Sequence, residues 1–556
     1  MGATVIVHDE GVAESHVRFS REGETVFVES LGAETIVNGS PIKERTRLRT
    51  GDRIQLGRAL VYRFATLDAL EEEYQRAVRA AITGRTGAPF SSAEVPANWA
   101  PESWRTKSSR QEVAYEDRAL LENVVHKLRS LPPLVTSWEI EDLKQELAEA
   151  QDGHRFVLQG GDCAETLADC DPNIITNKLK ILIQMSLVLT RGIQRPVVRI
   201  GRFAGQYAKP RSSAIEVRNG QELPSYFGDL VNRAEFTPEA RKPDPQLLLA
   251  GYYHAAITLN FVRALSSGGL ADLRRPEYFD LSYFDRAELP TDVRHDYRRL
   301  CKEVTDGLHF MRAVGDRHLD ELMKVKFFTS HEGLSLLYES SQTRRVPRRS
   351  GYYDLTTHLP WIGERTRALD GAHVEFFRGI ANPIAVKVGP SATPNEVLEL
   401  CSALNPSNEP GKLVLVSRMG VKKVECLGPL IEAVRTENRR VLWLCDPMHG
   451  NATVTRAGIK TRDFEDILAE VEASIAIHTR CRSRLGGVHF EMTGEDVTEC
   501  TGGGIGEADL TTNYSTVCDP RLNYRQSIQM AFCIARRMSD VVRPPSTIPP
   551  PPSYRR

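Results

Sequence analysis

Four residues far apart in the chain, Cys163, His449, Glu491 and Asp519, offer a thiol, an imidazole and two carboxylates. Gathered in one place, sulfur, nitrogen and carboxylate oxygens suit Mn2+, Fe2+, Co2+ or Zn2+ and serve calcium poorly. None of the four sits in a short-range ligand motif such as Cys-x-x-Cys. Spacing therefore leaves a second reading open, with Cys163 as a buried free thiol and His449 as a hydrogen-bonded core histidine. A second group is cationic. Arg202, Lys209, Arg211, Arg365, Lys387 and Arg418 each follow an apolar run or sit in the loop just after one. Cations beside buried strands need partners, and phosphate or carboxylate groups fit the arginine fork. For any single one of them, pairing with a local Asp or Glu is the structural alternative.

Eight short apolar runs would position these side chains. Residues 156–159 lead to Asp162 and Cys163, 197–200 to Arg202, and 326–328 to His331 and Glu332. Residues 353–356 lead to Trp361, Glu364 and Arg365, and 384–386 to Lys387. Residues 413–416 lead to Arg418, 441–444 to Asp446 and His449, and 487–490 to Glu491. Reactive groups at the carboxyl ends of successive strands, with helical patterns between, predict an α/β fold, a (β/α)8 TIM barrel with helical extensions.

A chain of 556 residues is too long for one ordinary core, so more than one domain is expected. A net charge of −1 speaks against bulk electrostatic binding to nucleic acid or an anionic membrane. No apolar run approaches the roughly 20 residues that cross a bilayer. The start, Met1 to Val5, has no basic segment before an apolar stretch, and ten cysteines lack framework spacing. A reducing cytoplasm is the expected location.

Residues 1–66 carry short alternating runs at 4–8, 16–19, 25–29, 35–37, 53–56 and 61–64, the pattern of a small all-β sandwich. A charged helix at 67–82 and a Gly/Pro/Ser-rich linker to residue 97 follow. The barrel region is placed at 98–542, with leading helices at 120–131 and 140–150 and closing helices at 464–475 and 527–538. An insertion of about residues 213–324 separates the second and third strands, with helical patterns at 247–265 and 293–313. Inserts of that size serve as lids, interfaces or regulatory sites. The tail, 543–556, is Pro-rich and expected to be extended. No repeat of fixed period is present.

Several runs carry a resemblance. They are 158–166 (Leu-Gln-Gly-Gly-Asp-Cys-Ala-Glu-Thr), 205–212 (Gly-Gln-Tyr-Ala-Lys-Pro-Arg-Ser) and 361–367 (Trp-Ile-Gly-Glu-Arg-Thr-Arg). The runs 416–420 (Val-Ser-Arg-Met-Gly), 445–451 (Cys-Asp-Pro-Met-His-Gly-Asn), 493–495, 498–500 and 518–523 (Cys-Asp-Pro-Arg-Leu-Asn) complete the set. In this order they resemble class II (plant-like) 3-deoxy-D-arabino-heptulosonate 7-phosphate (DAHP) synthases, from about Trp104 to Met538. The resemblance implies condensation of phosphoenolpyruvate with erythrose 4-phosphate, releasing phosphate, in the shikimate pathway or a specialised aromatic branch. It implies a divalent metal, manganese foremost with Co2+, Fe2+ or Zn2+ as alternatives, held by Cys163, His449, Glu491 and Asp519. It places phosphoenolpyruvate on Arg202, Glu364, Arg365, Lys387 and Arg418, with Lys387, Glu364 and Arg365 nearest the chemistry. Erythrose 4-phosphate falls to Lys209, Pro210, Arg211 and Ser212. A homo-oligomer is also implied.

Two departures mark the chain. Phe227 stands in Ser225-Tyr226-Phe227-Gly228-Asp229 where the family usually has Arg, and Arg233 where glycine is typical. The loss of a cation near the sugar phosphate is the expectation, with an amino-sugar analogue as an alternative substrate. The N-terminal segments 11–17, 37–39 and 48–56 resemble a forkhead-associated domain. Ala13 occupies the usual Ser position, the early Gly-Arg is missing and the loop at 32–36 is short. A degenerate module for a protein partner is expected, with phosphopeptide scaffolding on a relic barrel as the rival reading.

Overall fold

The computed structural model describes most of residues 17–63, residues 96 and 98–268, a few positions between 291 and 302, and residues 326–542. The chain divides into two compact units, Met1–Phe90 and Ser91–Arg556. The expected elements at 4–8, 67–82 and 543–556, and most of the helix at 293–313, lie outside the described residues.

The first unit holds two small antiparallel sheets. One orders Val17–Glu22, Thr25–Ser30 and Thr46–Leu48, and the other orders Ser40–Pro41, Thr35–Val37, Arg53–Leu56 and Leu60–Arg63. Val28 and Leu48 from one sheet share a buried cluster with Val37 and Ile54 from the other. The strands Ser40–Pro41 and Thr46–Leu48 are too short to show as alternating runs in the sequence.

In the second unit eight parallel strands close into a barrel in sequence order. They are β1 (Phe156–Gly161), β2 (Val197–Arg202), β3 (Phe328–Glu332), β4 (Leu359–Ile362), β5 (Ile384–Val388), β6 (Leu413–Ser417), β7 (Leu442–Cys445) and β8 (Leu485–Glu491). β8 pairs with β1, and β2 with β3, so no edge is left open. Burial on both faces explains why the strands read as unbroken apolar runs. Inside the barrel, Val157, Ile200, Leu359, Trp361, Val414 and Leu444 pack with Leu143, Leu147 and Ala150. The last three belong to the helix Ser137–Gln151, which thereby lines the same core as the strand interiors. That helix starts at a capping box in which Thr136 and Glu139 satisfy each other's backbone amides.

Outer helices follow the strands. Pro172–Ile193 is capped by Asp171, which accepts from the Asn173 and Ile174 amides, and begins with proline at its first position. It runs close to the last helix, Tyr524–Val542; a Cβ on Gly192 would lie 2.3 Å from the Ala535 methyl. The insertion after β2 contains an antiparallel hairpin, Ile215–Arg218 with Gln221–Pro224, and the helix Gln246–Gly268.

Two strand expectations need correcting. The run at 353–356 is not a barrel strand: Tyr352–Asp354 pairs antiparallel with Thr343–Arg345 outside the barrel, and Leu359–Ile362 is β4. Pro360 hides the true strand, because proline argues against a central strand while the aromatic run upstream favours one. The third strand also starts later than expected, so His331 and Glu332 lie within β3 and not past it.

Candidate active site

A cleft of about 500 Å³ opens at the carboxyl ends of the strands, lined by Lys209, Arg211, Arg365, Lys387, Arg418, His449 and Asp519 among others. Lys387 stands on β5 itself and the others on segments that follow a barrel strand, so the rigid sheet fixes their origin. Glycines allow those loops to crowd. Gly161 ends β1 at φ +149°, where a Cβ would meet the Arg202 carbonyl at 2.7 Å. A Cβ on Gly450, beside His449, would lie 2.2 Å from the Gly420 amide nitrogen of the Arg418 loop.

Cys163, Glu491 and Asp519 bring one ligand atom each to within 4.8 Å of one another. His449 lies outside that group and touches it through Glu491 alone, its Nε2 2.9 Å from Glu491 Oε1, while its Nδ1 meets Asp446 Oδ2 at 2.7 Å. A carboxylate behind the imidazole orients the ring toward the cluster, as second partners of metal-bound histidines do. The donors come from the β1, β7 and β8 ends and from the segment beyond β8. A sulfur, an imidazole nitrogen and two carboxylates suit a borderline divalent cation, so the residues fit the metal. Lys209 projects into the same cluster: its ammonium donates to Cys163 Sγ at 2.6 Å and pairs with Asp519 at 2.8 Å.

Electrostatics follow from burial and this crowd of charges. Burial alone would raise the Glu491 pKa, but His449, Lys209, Arg462 and Arg202 together hold it well below the carboxylate range. Asp519 is likewise held low against its burial, chiefly by Lys209. Burial pushes the Cys163 thiol well up, with Cys518 and Glu491 adding and Lys209 opposing. A bound divalent cation supplies the positive charge that favours the thiolate form.

Beneath the cleft lies a ring of paired charges around Trp361. Arg202 stands 5.2 Å and Lys387 5.4 Å from the Trp361 ring centroid. Arg202 is buried and committed, donating to Glu491 at 3.1 Å and to the Cys163 carbonyl at 3.1 Å and contacting His489 at 2.8 Å. It sits one layer below the cleft wall. Lys387 reaches the wall and pairs with Asp446 at 2.8 Å. Burial lowers its pKa, with Arg202 adding and Asp446 and Glu491 opposing.

The remaining expected residues line the cleft. Arg365 donates to Ser212 Oγ at 3.0 Å, linking the β4 loop to the Lys209–Ser212 stretch. Arg418 donates to the His449 carbonyl at 2.8 Å. Glu364 accepts from the Gly389 amide at 2.7 Å and from Ser391 and Arg367, so its carboxylate ties the β4 and β5 loops together. Pro210, Arg211 and Ser212 lie on the cleft wall, and Arg211 is held by Gln111, which bonds both its amide and its carbonyl. Phe227 does not reach this wall. Its side chain packs against the core and borders a separate cavity with Trp104 and Tyr115. Phe227 thus faces the interior and contributes nothing to the cleft wall. Arg233 is exposed.

Sequence reasoning missed Arg462 and Lys460. Arg462 is buried and pairs with Glu491 at 2.8 Å, and Lys460 pairs with Asp519. Both stand on the hairpin Ala452–Val454 with Lys460–Arg462 after β7. The alternating Lys-Thr-Arg after Gly458, which turns at φ +80°, is the signal that could have exposed them. His331, named with Glu332, turns away and pairs with Glu339 at 2.9 Å. Glu332 borders the cleft, and its Oε1 is buried with no hydrogen-bond partner among the described residues.

Residues 99–535 match the family model described as the class-II DAHP synthetase family. The chain belongs to that family. Relatives carrying the name phospho-2-dehydro-3-deoxyheptonate aldolase include a Neurospora crassa protein, 45% identical over 79% of this chain and 94% of its own. A Streptomyces coelicolor relative is 45% identical over 79% of this chain and 98% of its own. The AroG enzyme of Mycolicibacterium smegmatis is 44% identical over 74% of this chain and 89% of its own. Residues 2–57 match the FHA domain model, an addition at the amino end of a class-II DAHP synthase barrel. Among the described residues no helix is long and apolar enough to cross a membrane.

Proposed function

We propose that the chain condenses phosphoenolpyruvate with erythrose 4-phosphate to DAHP and inorganic phosphate, the first step of the shikimate pathway. What supports this reading most is the Cys163, Glu491 and Asp519 donor cluster beside a cleft walled by Lys387, Arg365 and Arg418. Cys163, His449, Glu491 and Asp519 hold the divalent cation, manganese by preference, which when bound supplies Lewis acidity toward the aldehyde oxygen.

The chain's own residues do the rest. Arg365, Lys387 and Arg418 grip the phosphate and carboxylate of phosphoenolpyruvate, and Arg202 fixes Glu491 from below. Lys209, Arg211 and Ser212 present the sugar phosphate from the β2 loop, with its aldehyde toward C3 of the enol. The C2=C3 π pair of the enol forms a bond from C3 to the aldehyde carbon, whose C=O π pair becomes an alkoxide and takes up a proton. Water then adds at the electron-poor C2 and loses its protons, and the C2–O bond to phosphate breaks, leaving the C2 ketone and inorganic phosphate. Fixed cations around both anions lower the barrier through orientation and preorganised charge. Glu364 keeps the β4 and β5 loops in register for Arg365 and Lys387. The protein acts as a cytoplasmic homo-oligomer, with residues 1–66 as a contact module for a protein partner.

Steady-state phosphate release distinguishes the substrates. Erythrose 4-phosphate is expected to exceed its amino analogue in kcat/KM. The opposite order would move the enzyme to an amino-sugar branch, and release with neither aldehyde would remove the condensation.

A further inference from the structure

Two of the metal donors stand at opposite ends of the barrel sequence, Cys163 just past β1 and Asp519 beyond β8, and each is flanked by a charged residue whose side chain leads away from the cleft. Asp162, immediately before Cys163, is fully buried and meets two cations: Arg521 at 2.7 Å through Oδ1 and Lys178 at 2.6 Å through Oδ2. Arg521 follows Asp519 by two positions. Its backbone amide and Nε donate to Glu499 Oε2 at 2.8 and 3.0 Å, and one terminal nitrogen to Glu499 Oε1 at 2.7 Å and to Ser515 at 2.9 Å. The guanidinium thus has its two faces of donors spread over Asp162 and Glu499, a geometry that a planar fork fixes and a single ammonium does not. Lys178, on the helix after β1, also lies 3.6 Å from Glu165, which accepts the Ala204, Gly205 and Gln206 amides leading toward Lys209.

We propose that the Asp162–Arg521 pair, backed by Lys178, is the positioning device that sets the spacing of Cys163 and Asp519 and thereby the affinity for the divalent ion. The inference rests on the reading of those two residues as ligands. The pair touches neither substrate nor metal. It acts by tying together two loops that no strand pairing of the barrel itself joins at this point. Charge in a low-dielectric layer makes the tie stiff, and loss of one partner leaves the other buried and uncompensated.

The test uses the full-length protein stripped of metal and titrated with Co2+. Bound cobalt is followed by calorimetry and by the near-ultraviolet thiolate-to-cobalt absorption that requires a cysteine ligand. Arg521→Gln and Asp162→Asn are each expected to weaken Co2+ binding by about 10- to 100-fold. The absorption per bound cobalt should fall as well. Arg521→Lys keeps the charge and should recover part of the affinity. It stands in if the glutamine variant does not fold. A merely structural role would lower melting temperature and leave the absorption per cobalt unchanged. Affinity and absorption within twofold of wild type in Asp162→Asn and Arg521→Lys would overturn the proposal. A wild type that binds cobalt without that absorption would overturn the ligand reading itself, and the brace with it.

Discussion

The Lys209 ammonium lies 2.6 Å from the Cys163 sulfur and 2.8 Å from the Asp519 carboxylate, inside the donor set that it was expected only to neighbour. The β2 loop therefore reaches the candidate metal ligands and the cleft wall with one side chain. Its charge offsets part of the repulsion between Glu491 and Asp519, which both remain ionised.

Lys209→Met should cost the metal-free protein about 3 kcal/mol, the scale of removing one partner from a buried ion pair. Saturating Mn2+ should restore most of that loss, because the ion replaces the missing charge. Thermal melts with chelator and with Mn2+ check this. Equal losses in both would contradict it.

Arg365 is exposed on the cleft wall and spends one donor on Ser212. Arg365→Gln should lower kcat/KM for phosphoenolpyruvate by roughly 10- to 100-fold, the worth of a hydrogen bond to a charged group. Co2+ affinity should stay unchanged. Initial rates over a range of phosphoenolpyruvate, with a metal titration alongside, separate the two.

Gly420 and Gly450 hold the Arg418 and His449 loops in backbone contact, and Gly420 has φ +78°. A methyl at Gly450 has no side chain to push aside, only the Gly420 and Met419 backbone. Gly450→Ala should therefore destabilise by about 1–3 kcal/mol and raise KM for phosphoenolpyruvate. An unfolding curve and KM that match wild type would show that these loops are not tightly apposed.

Lys412 is buried below the barrel and donates to the Ile380 and Asn382 carbonyls. Burial, with Lys144 adding, pulls its pKa down to about 7, against the pull of Glu409 and Glu141. Between pH 7 and the ordinary lysine value, the unfolded chain carries a proton that the folded chain lacks. Stability should then rise with pH in that window, by at most about 1.4 kcal/mol per unit, and be flat below it. In Lys412→Met that slope disappears. Unfolding midpoints of the two proteins from pH 6 to 9.5 test it: the difference should move in favour of wild type as pH rises above 7.

Seven of the eight strand positions were legible because parallel strands buried on both faces leave apolar runs with turn residues after them. β4 was not, since Pro360 looks like a breaker and its neighbours Tyr352 and Tyr353 look like a strand, which they are, in a different sheet. Residue types and motifs named side chains that the fold gathers at one end of the barrel, but not which cations face the cleft. Arg202 lies beneath it, Phe227 points into the core, and Arg462 enters from a hairpin whose only signal is the three-residue alternation Lys-Thr-Arg. Strand ends are written in the sequence; the direction a loop side chain takes is decided by its partners.

The central claim, that Cys163 and its neighbours hold an ion required for condensation, is tested by phosphate release from phosphoenolpyruvate. Wild type should release phosphate only when erythrose 4-phosphate and a divalent metal are both present. Chelation should abolish the release and Mn2+ should restore it, while Cys163→Ser should fall by at least about 100-fold, the loss of several kcal/mol of transition-state stabilisation. Release by the stripped Cys163→Ser protein at the wild-type rate would contradict the account.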